Sequence, residues 1–143
     1  HLMFRRLSER LETDTQALLD GRLDPGRHAA GLSRFGGMFV GELHAHHNIE
    51  DLHYFPRLKR LEPRIAAGFD LLDADHHAID GQLAAYVDAA NAVLNAPETA
   101  RQQPAGAFLD RVQAFAGLLD RHLTDEEDLV VPVLLRHGES AMH

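Results

Sequence analysis

The stretch His46-His47-Asn48-Ile49-Glu50-Asp51-Leu52-His53-Tyr54-Phe55-Pro56 has a counterpart in His122-Leu123-Thr124-Asp125-Glu126-Glu127-Asp128-Leu129-Val130-Val131-Pro132. Both read His-x-x-x-Glu, then an acidic residue, then proline six positions past the glutamate. Residues four apart lie on one face of an α-helix, a turn apart. Each copy therefore presents an imidazole and a carboxylate side by side. Apolar residues continue the same faces. Before and after the first pair the stripe is Phe35, Phe39, Leu43, His46, Glu50, Tyr54. Around the second it is Phe108, Val112, Phe115, Leu119, His122, Glu126, Leu129, Val133. Both pairs thus interrupt stripes that belong in a core. An ion pair on a solvated face is the simpler reading of one copy. Two interruptions of the same form in a core, where unpaired charge is costly, call for one shared purpose.

Working outward, helical periodicity extends over nearly the whole chain, with no alternating strand pattern. The spacing predicts helix 1 from about Leu2 to Leu19, stopped by Gly21. After the turn Leu23-Asp24-Pro25-Gly26, helix 2 runs from about Arg27 to Phe55, with Pro56 kinking or ending it. Arg57 to Glu62 forms a short continuation. Pro63 opens helix 3, which reaches about Leu94. Asn95 to Pro104 is the clearest loop, and helix 4 follows from about Ala105 to Arg136. Four long helices with short connections predict an all-α, antiparallel up-down-up-down four-helix bundle. Nothing divides residues 1–143, which read as one domain.

The repeat includes the other two helices. The offset between halves is 75 or 76, from His1 to His76, His46 to His122 and Glu50 to Glu126. Apolar positions correspond as well: Phe4 with Ile79, Leu11 with Tyr86, Leu18 with Val93, Leu19 with Leu94. Two helical hairpins about a pseudo-twofold axis would converge His1, His46, Glu50, His76, His122 and Glu126. Four imidazoles and two carboxylates suit two transition-metal ions, each with two histidines and both sharing Glu50 and Glu126.

Composition agrees. The chain has eleven histidines and no cysteine. Disulfides, thiol catalysis, iron–sulfur clusters and cysteine-bound zinc are excluded. Net charge is −8 at pH 7, and no basic cluster exceeds Arg57, Lys59 and Arg60, which argues against nucleic acid. No apolar run approaches the roughly 20 residues of a membrane span. The N-terminal residues form a charged amphipathic pattern without the apolar region of a signal peptide, and the absence of cysteine leads to the expectation of a cytoplasmic location.

Several further residues surround this set. Adjacent helical positions diverge by roughly 100°, so His47 and His77 are expected to point mostly away from the centre. They remain candidates, with Asp80, Tyr54 and Glu127, for an additional ligand or a supporting contact. Tyr54 reads first as a core tyrosine. Asp73, Asp75, Asp125 and Glu127 are placed to hold the distal nitrogens of ligand histidines. His44 and His53 read as supporting or surface residues, and His28, His137 and His143 as solvated.

The segments Leu43 to Asp51, Tyr54-Phe55-Pro56, Asp75-His76 and His122 to Glu127 resemble the HHE cation-binding branch of the hemerythrin family. The resemblance covers nearly the whole chain. It implies a non-heme di-iron centre with an oxo or hydroxo bridge that binds a small diatomic molecule, dioxygen or nitric oxide, or peroxide. The donor set would also accept manganese or zinc. Three function classes follow: a ligand-binding or sensing domain, an oxidoreductase, and an iron-handling or metal-regulated interaction module. The chain departs from the oxygen carriers of that family, which have a second histidine four positions on in helix 3. Here that position is Asp80, and where helix 4 of the carriers has an aspartate five residues after its histidine, this chain has Glu126 four and Glu127 five residues after His122.

Overall fold

The computed structural model describes residues 2–137. Among them the chain is all-helical, with no strand, and packs as a helical bundle. Helix α1 spans Leu2–Leu19. It closes with the N–H of Gly21 on the Leu18 carbonyl (3.1 Å) and that of Arg22 on the Ala17 carbonyl (2.8 Å). This closure needs a left-handed residue, and Gly21 supplies it at φ 73°. Asp24 then caps α2 (Pro25–Gly31): its carboxylate accepts from the Arg27 N–H at 3.1 Å. The helix starts at Pro25 rather than Arg27 because proline costs nothing where its N–H would be unpaired. Asp24→Ala should destabilise the fold by about 1 kcal/mol, read as a shift in the urea midpoint at unchanged slope.

From Pro25 the helical path continues to Leu61 through two wider turns. A π-turn, Leu32–Gly36, leads into α3 (Gly37–Ile49), and a second, Glu50–Tyr54, leads into α4 (Phe55–Leu61). Pro56 sits in the first turn of α4, so the proline expected to kink or end the helix does not end it. In the second π-turn the Phe55 N–H reaches back five residues to the Glu50 carbonyl. That extra residue shifts the inward stripe: Phe55 is buried, and Tyr54, expected in the core, is 42% exposed. A short 3₁₀ turn, Pro63–Ile65, precedes α5 (Ala66–Asn95), and another, Glu98–Ala100, precedes α6 (Gln102–His137). α6 begins before the expected Ala105 and passes over Pro132 without a break.

Four sets of pairings locate the helices. α1 meets α6 through Arg5 with Asp120 (2.7 Å), Glu12 with Gln113 (3.2 Å) and the Leu18 carbonyl with Gln102 (3.3 Å). α1 meets α2 and α3 through Thr15 with His28 and Phe4 with Phe39. α3 and α4 meet α5 through Phe39 with Tyr86, His47 with His76 and Phe55 with Phe69. α5 meets α6 through Tyr86 with Phe108 and His76 with His122. In each set, numbers rise along one helix and fall along the other. At Gly68 the two helices approach closely enough that a Cβ would lie 3.1 Å from Leu129 Cδ2.

The apolar interior falls into two clusters. The larger holds Phe4, Phe39, Leu43, Ile79, Phe108 and Phe115 among others. The smaller holds Phe55, Leu58, Phe69, Leu72 and Val133. The paired positions of the repeat, Phe4 with Ile79, Leu11 with Tyr86 and Leu18 with Val93, are all buried in the larger one. No helix is long and apolar enough to cross a membrane among the described residues.

His28 departs from its expected solvated setting. It is buried, and its Nε2 shares a 2.9 Å hydrogen bond with Thr15 Oγ1 across the α1–α2 hairpin. Burial lowers its pKa below 6.5; Asp14 opposes this and Arg101 adds to it. The unfolded chain therefore binds the proton more readily than the folded one. Stability from this site is complete above the unfolded pKa of 6.5 and is lost as pH falls below it. Denaturation of the parent and of His28→Gln at about pH 8 and about pH 5 should show the parent losing more stability on acidification. Equal losses would remove His28 from the account.

Candidate metal centre

Between the two apolar clusters lies one polar layer. Along the chain three helical paths pass from one cluster through the layer to the other, the first from α3 to α4: Leu43, then His46, His47 and Glu50, then Phe55. α5 does so through Leu72, His76 and Ile79, and α6 through Leu119, His122, Glu126 and Val133. The stripes that gave the helices their inward faces are the same stripes that deliver these donors. His47, Glu50, His76, His122 and Glu126 are all buried, and the His46 side chain is 28% exposed.

The donors converge in two groups, in each of which the ligand atoms lie within 4.8 Å of one another. His47, His76 and His122 form the first, and His46, Glu50 and Glu126 the second. In the first, the His47 and His76 rings stack at 3.8 Å, and His76 Nε2 lies 3.1 Å from His122 Nε2. In the second, His46 Nε2 is 2.7 Å from Glu50 Oε1 and 3.5 Å from Glu126 Oε1. The carboxylates also face the first group: Glu50 Oε1 is 3.8 Å from His76 Nε2, and Glu126 Oε2 is 3.5 Å from His122 Nε2. Asp75 Oδ2 stands 3.3 Å from His122 Nδ1. It fills the supporting place expected of an acidic residue and turns Nε2 of that ring toward the centre.

The electrostatics suit cations. Burial lowers the His47 pKa to about 3, and His76, His122 and His46 add to the effect, so this ring is neutral and its lone pair available. Burial also lowers His46, but the hydrogen bonds and charges of Glu126 and Glu50 outweigh it and raise the pKa to about 10. For His122 burial is again outweighed, here by Glu126 and Asp75, and the pKa rises. The Glu50 pKa is raised, first by burial and then by Glu126, against the lowering effect of His46. His47 Nε2 and Glu50 Oε2 are buried with no hydrogen-bond partner, while Glu50 Oε1 pairs with His46. Such atoms cost folding free energy, and a bound cation is the partner their chemistry fits. The donor set therefore fits a pair of metal ions.

Of the residues singled out from sequence, His46, Glu50, His76, His122 and Glu126 come together here. His1 and His143 lie outside the described residues, as does the side chain of His137. His77, Asp80, Tyr54 and Glu127 are exposed and stand outside both groups, and His44 and His53 are exposed as well. His47, a candidate additional ligand expected to point mostly elsewhere, joins His76 and His122. The reason is angular. At roughly 100° per residue, Leu43 and Glu50 point nearly the same way, while His46 and His47 fall roughly 60° and 40° to either side. The two histidines straddle the inward line, and an apolar face of ~100° or more accommodates both. The His-His doublet placed between two core residues is the signal that could have found it.

Residues 1–134 match the family model described as the Hemerythrin HHE cation binding domain. No curated protein and no solved structure matches the chain.

Proposed function

The chain belongs to the hemerythrin HHE cation-binding domain family, and on that premise we propose that it holds two non-heme iron ions and uses them to bind or reduce dioxygen, nitric oxide or peroxide. The observation that carries this reading is the buried layer itself: imidazoles and carboxylates from α3, the following π-turn, α5 and α6, two of them with unpartnered atoms. We read residues 1–143 as one domain, an antiparallel up-down-up-down four-helix bundle with a pseudo-twofold repeat. The opposing order of the helix pairings and the matched burial of the repeat positions support it.

In this reading His47, His76 and His122 would hold one ion and His46 the other, with Glu50 and Glu126 available to both. His1, outside the described residues, is a further candidate ligand. His47 takes the place that a second histidine on the third long helix would fill, since Asp80 is exposed there. A bound iron pair supplies electrons and open coordination positions for a small oxidant. The protein supplies the rest. Asp75 orients His122. Phe4 sets its edge against His46 at 5.6 Å, and Phe55 stacks on His76 at 5.6 Å, keeping water from the layer. The partly exposed His46 marks the side nearest solvent.

A second reading has its own support. The unpartnered Glu50 Oε2 and His47 Nε2 make the metal-free fold carry a cost that metal would relieve, as a metal-regulated interaction or iron-handling module requires. A redox-inert zinc or manganese centre would serve it equally. Anaerobic ferrous loading followed by metal analysis and absorption spectra, before and after air or nitric oxide, separates the readings. The proposal expects about two irons per chain and new near-ultraviolet to visible absorption on exposure. Metal binding with a large stability gain but no spectral response would leave only the second reading.

A further inference from the structure

The two donor groups are chemically unlike. One is three imidazoles and carries no formal charge when the rings are neutral. The other is one imidazole and two carboxylates. The difference arises because His47 joins the group of His76 and His122 rather than that of His46.

Their surroundings differ in the same sense. The three rings of the first group are 5% exposed or less. They are held edge and face: His47 to His122 at 5.7 Å and 75°, His76 to His122 at 4.8 Å and 63°, with Phe55 stacked on His76. Asp75 fixes which nitrogen His122 turns inward. His47 Nε2 is buried without a partner. Three imidazoles, with the shared carboxylates beside them, are a donor set that zinc accepts readily. The second group opens toward solvent at His46 and offers mostly carboxylate oxygen, which favours harder ions such as manganese.

Resting on the dinuclear reading above, we propose that the two halves select different metals: the trihistidine half takes zinc, and the carboxylate-rich half takes a harder divalent ion, so the chain holds an unlike pair when both are supplied. Iron supplied alone fills both halves. Zinc in competition displaces the ion among His47, His76 and His122 first, because nitrogen donors widen its advantage over manganese and ferrous iron.

The test uses the full chain, stripped of metal, given one equivalent of zinc and then excess manganese, and desalted. The expected result is one zinc and one manganese per chain, with a nitrogen-dominated first shell in zinc-edge X-ray absorption. His47→Ala should weaken zinc binding by at least about 100-fold while manganese is still retained. Two manganese ions, or a zinc shell dominated by oxygen, would overturn the selectivity and leave the dinuclear centre standing. A single ion per chain under every loading would overturn both. The zinc-edge measurement on the parent decides the matter even if His47→Ala does not fold.

Discussion

Glu50→Ala combined with Glu126→Ala abolishes retention of two metal ions; the double variant keeps one at most after dialysis. These carboxylates are the groups that face both halves of the layer. Glu50 Oε1 lies 2.7 Å from His46 and 3.8 Å from His76, and Glu126 lies 3.5 Å from His46 and from His122. Removing them leaves imidazoles alone. The effect on the metal-free protein has the opposite sign. Glu50 is buried with Oε2 unpartnered, and burial and Glu126 raise its pKa despite the pairing with His46, so Glu50→Gln, which keeps the volume and removes the charge, should raise metal-free stability by about 1–3 kcal/mol. Metal analysis and thermal melts with and without iron read both effects. Retention of two equivalents by the double variant would end the shared-ligand assignment.

Phe39→Ala gives the largest expected loss of stability from the core. Phe39 is 1% exposed. It meets Phe4 and Phe115 edge to face at 6.0 and 5.9 Å and stacks on Tyr86 at 5.7 Å. One side chain thus ties α3 to α1, α5 and α6 just below the polar layer. Its truncation removes buried area and leaves a cavity that four helices cannot close together. The expected cost is about 3–5 kcal/mol, or a fall in melting temperature of about 10 °C. The donors stay on their helices, so metal binding should weaken far less than in the Glu50 and Glu126 variants. A loss below about 1 kcal/mol would mean that the core is not packed around this ring.

Where the helical period runs without interruption, the sequence was enough. The stripe on α6 from Phe108 to Glu126 is buried throughout, and Leu129 and Val133 join the smaller cluster. The corresponding stripe on the second long helix holds through Glu50 and then fails, because the π-turn Glu50–Tyr54 adds a residue and brings Phe55 inward in place of Tyr54. Pro56 does not account for this by itself, since α6 carries Pro132 at the matching position and stays α-helical. His28 was misread for another reason. Its partner Thr15 is on the preceding helix, and local periodicity carries no information about pairing across a hairpin. Within the centre, the i, i+4 rule found His46 with Glu50 and His122 with Glu126. It passed over His47, which reaches the layer from the other edge of the same face.

The most direct test of the dinuclear centre is anomalous X-ray diffraction at the iron edge from crystals of the ferrous-loaded protein. Two iron peaks about 3.5–4 Å apart are expected, one beside His47, His76 and His122 and the other beside His46, with Glu50 and Glu126 reaching both. A single peak, or iron bound away from this layer, would contradict it.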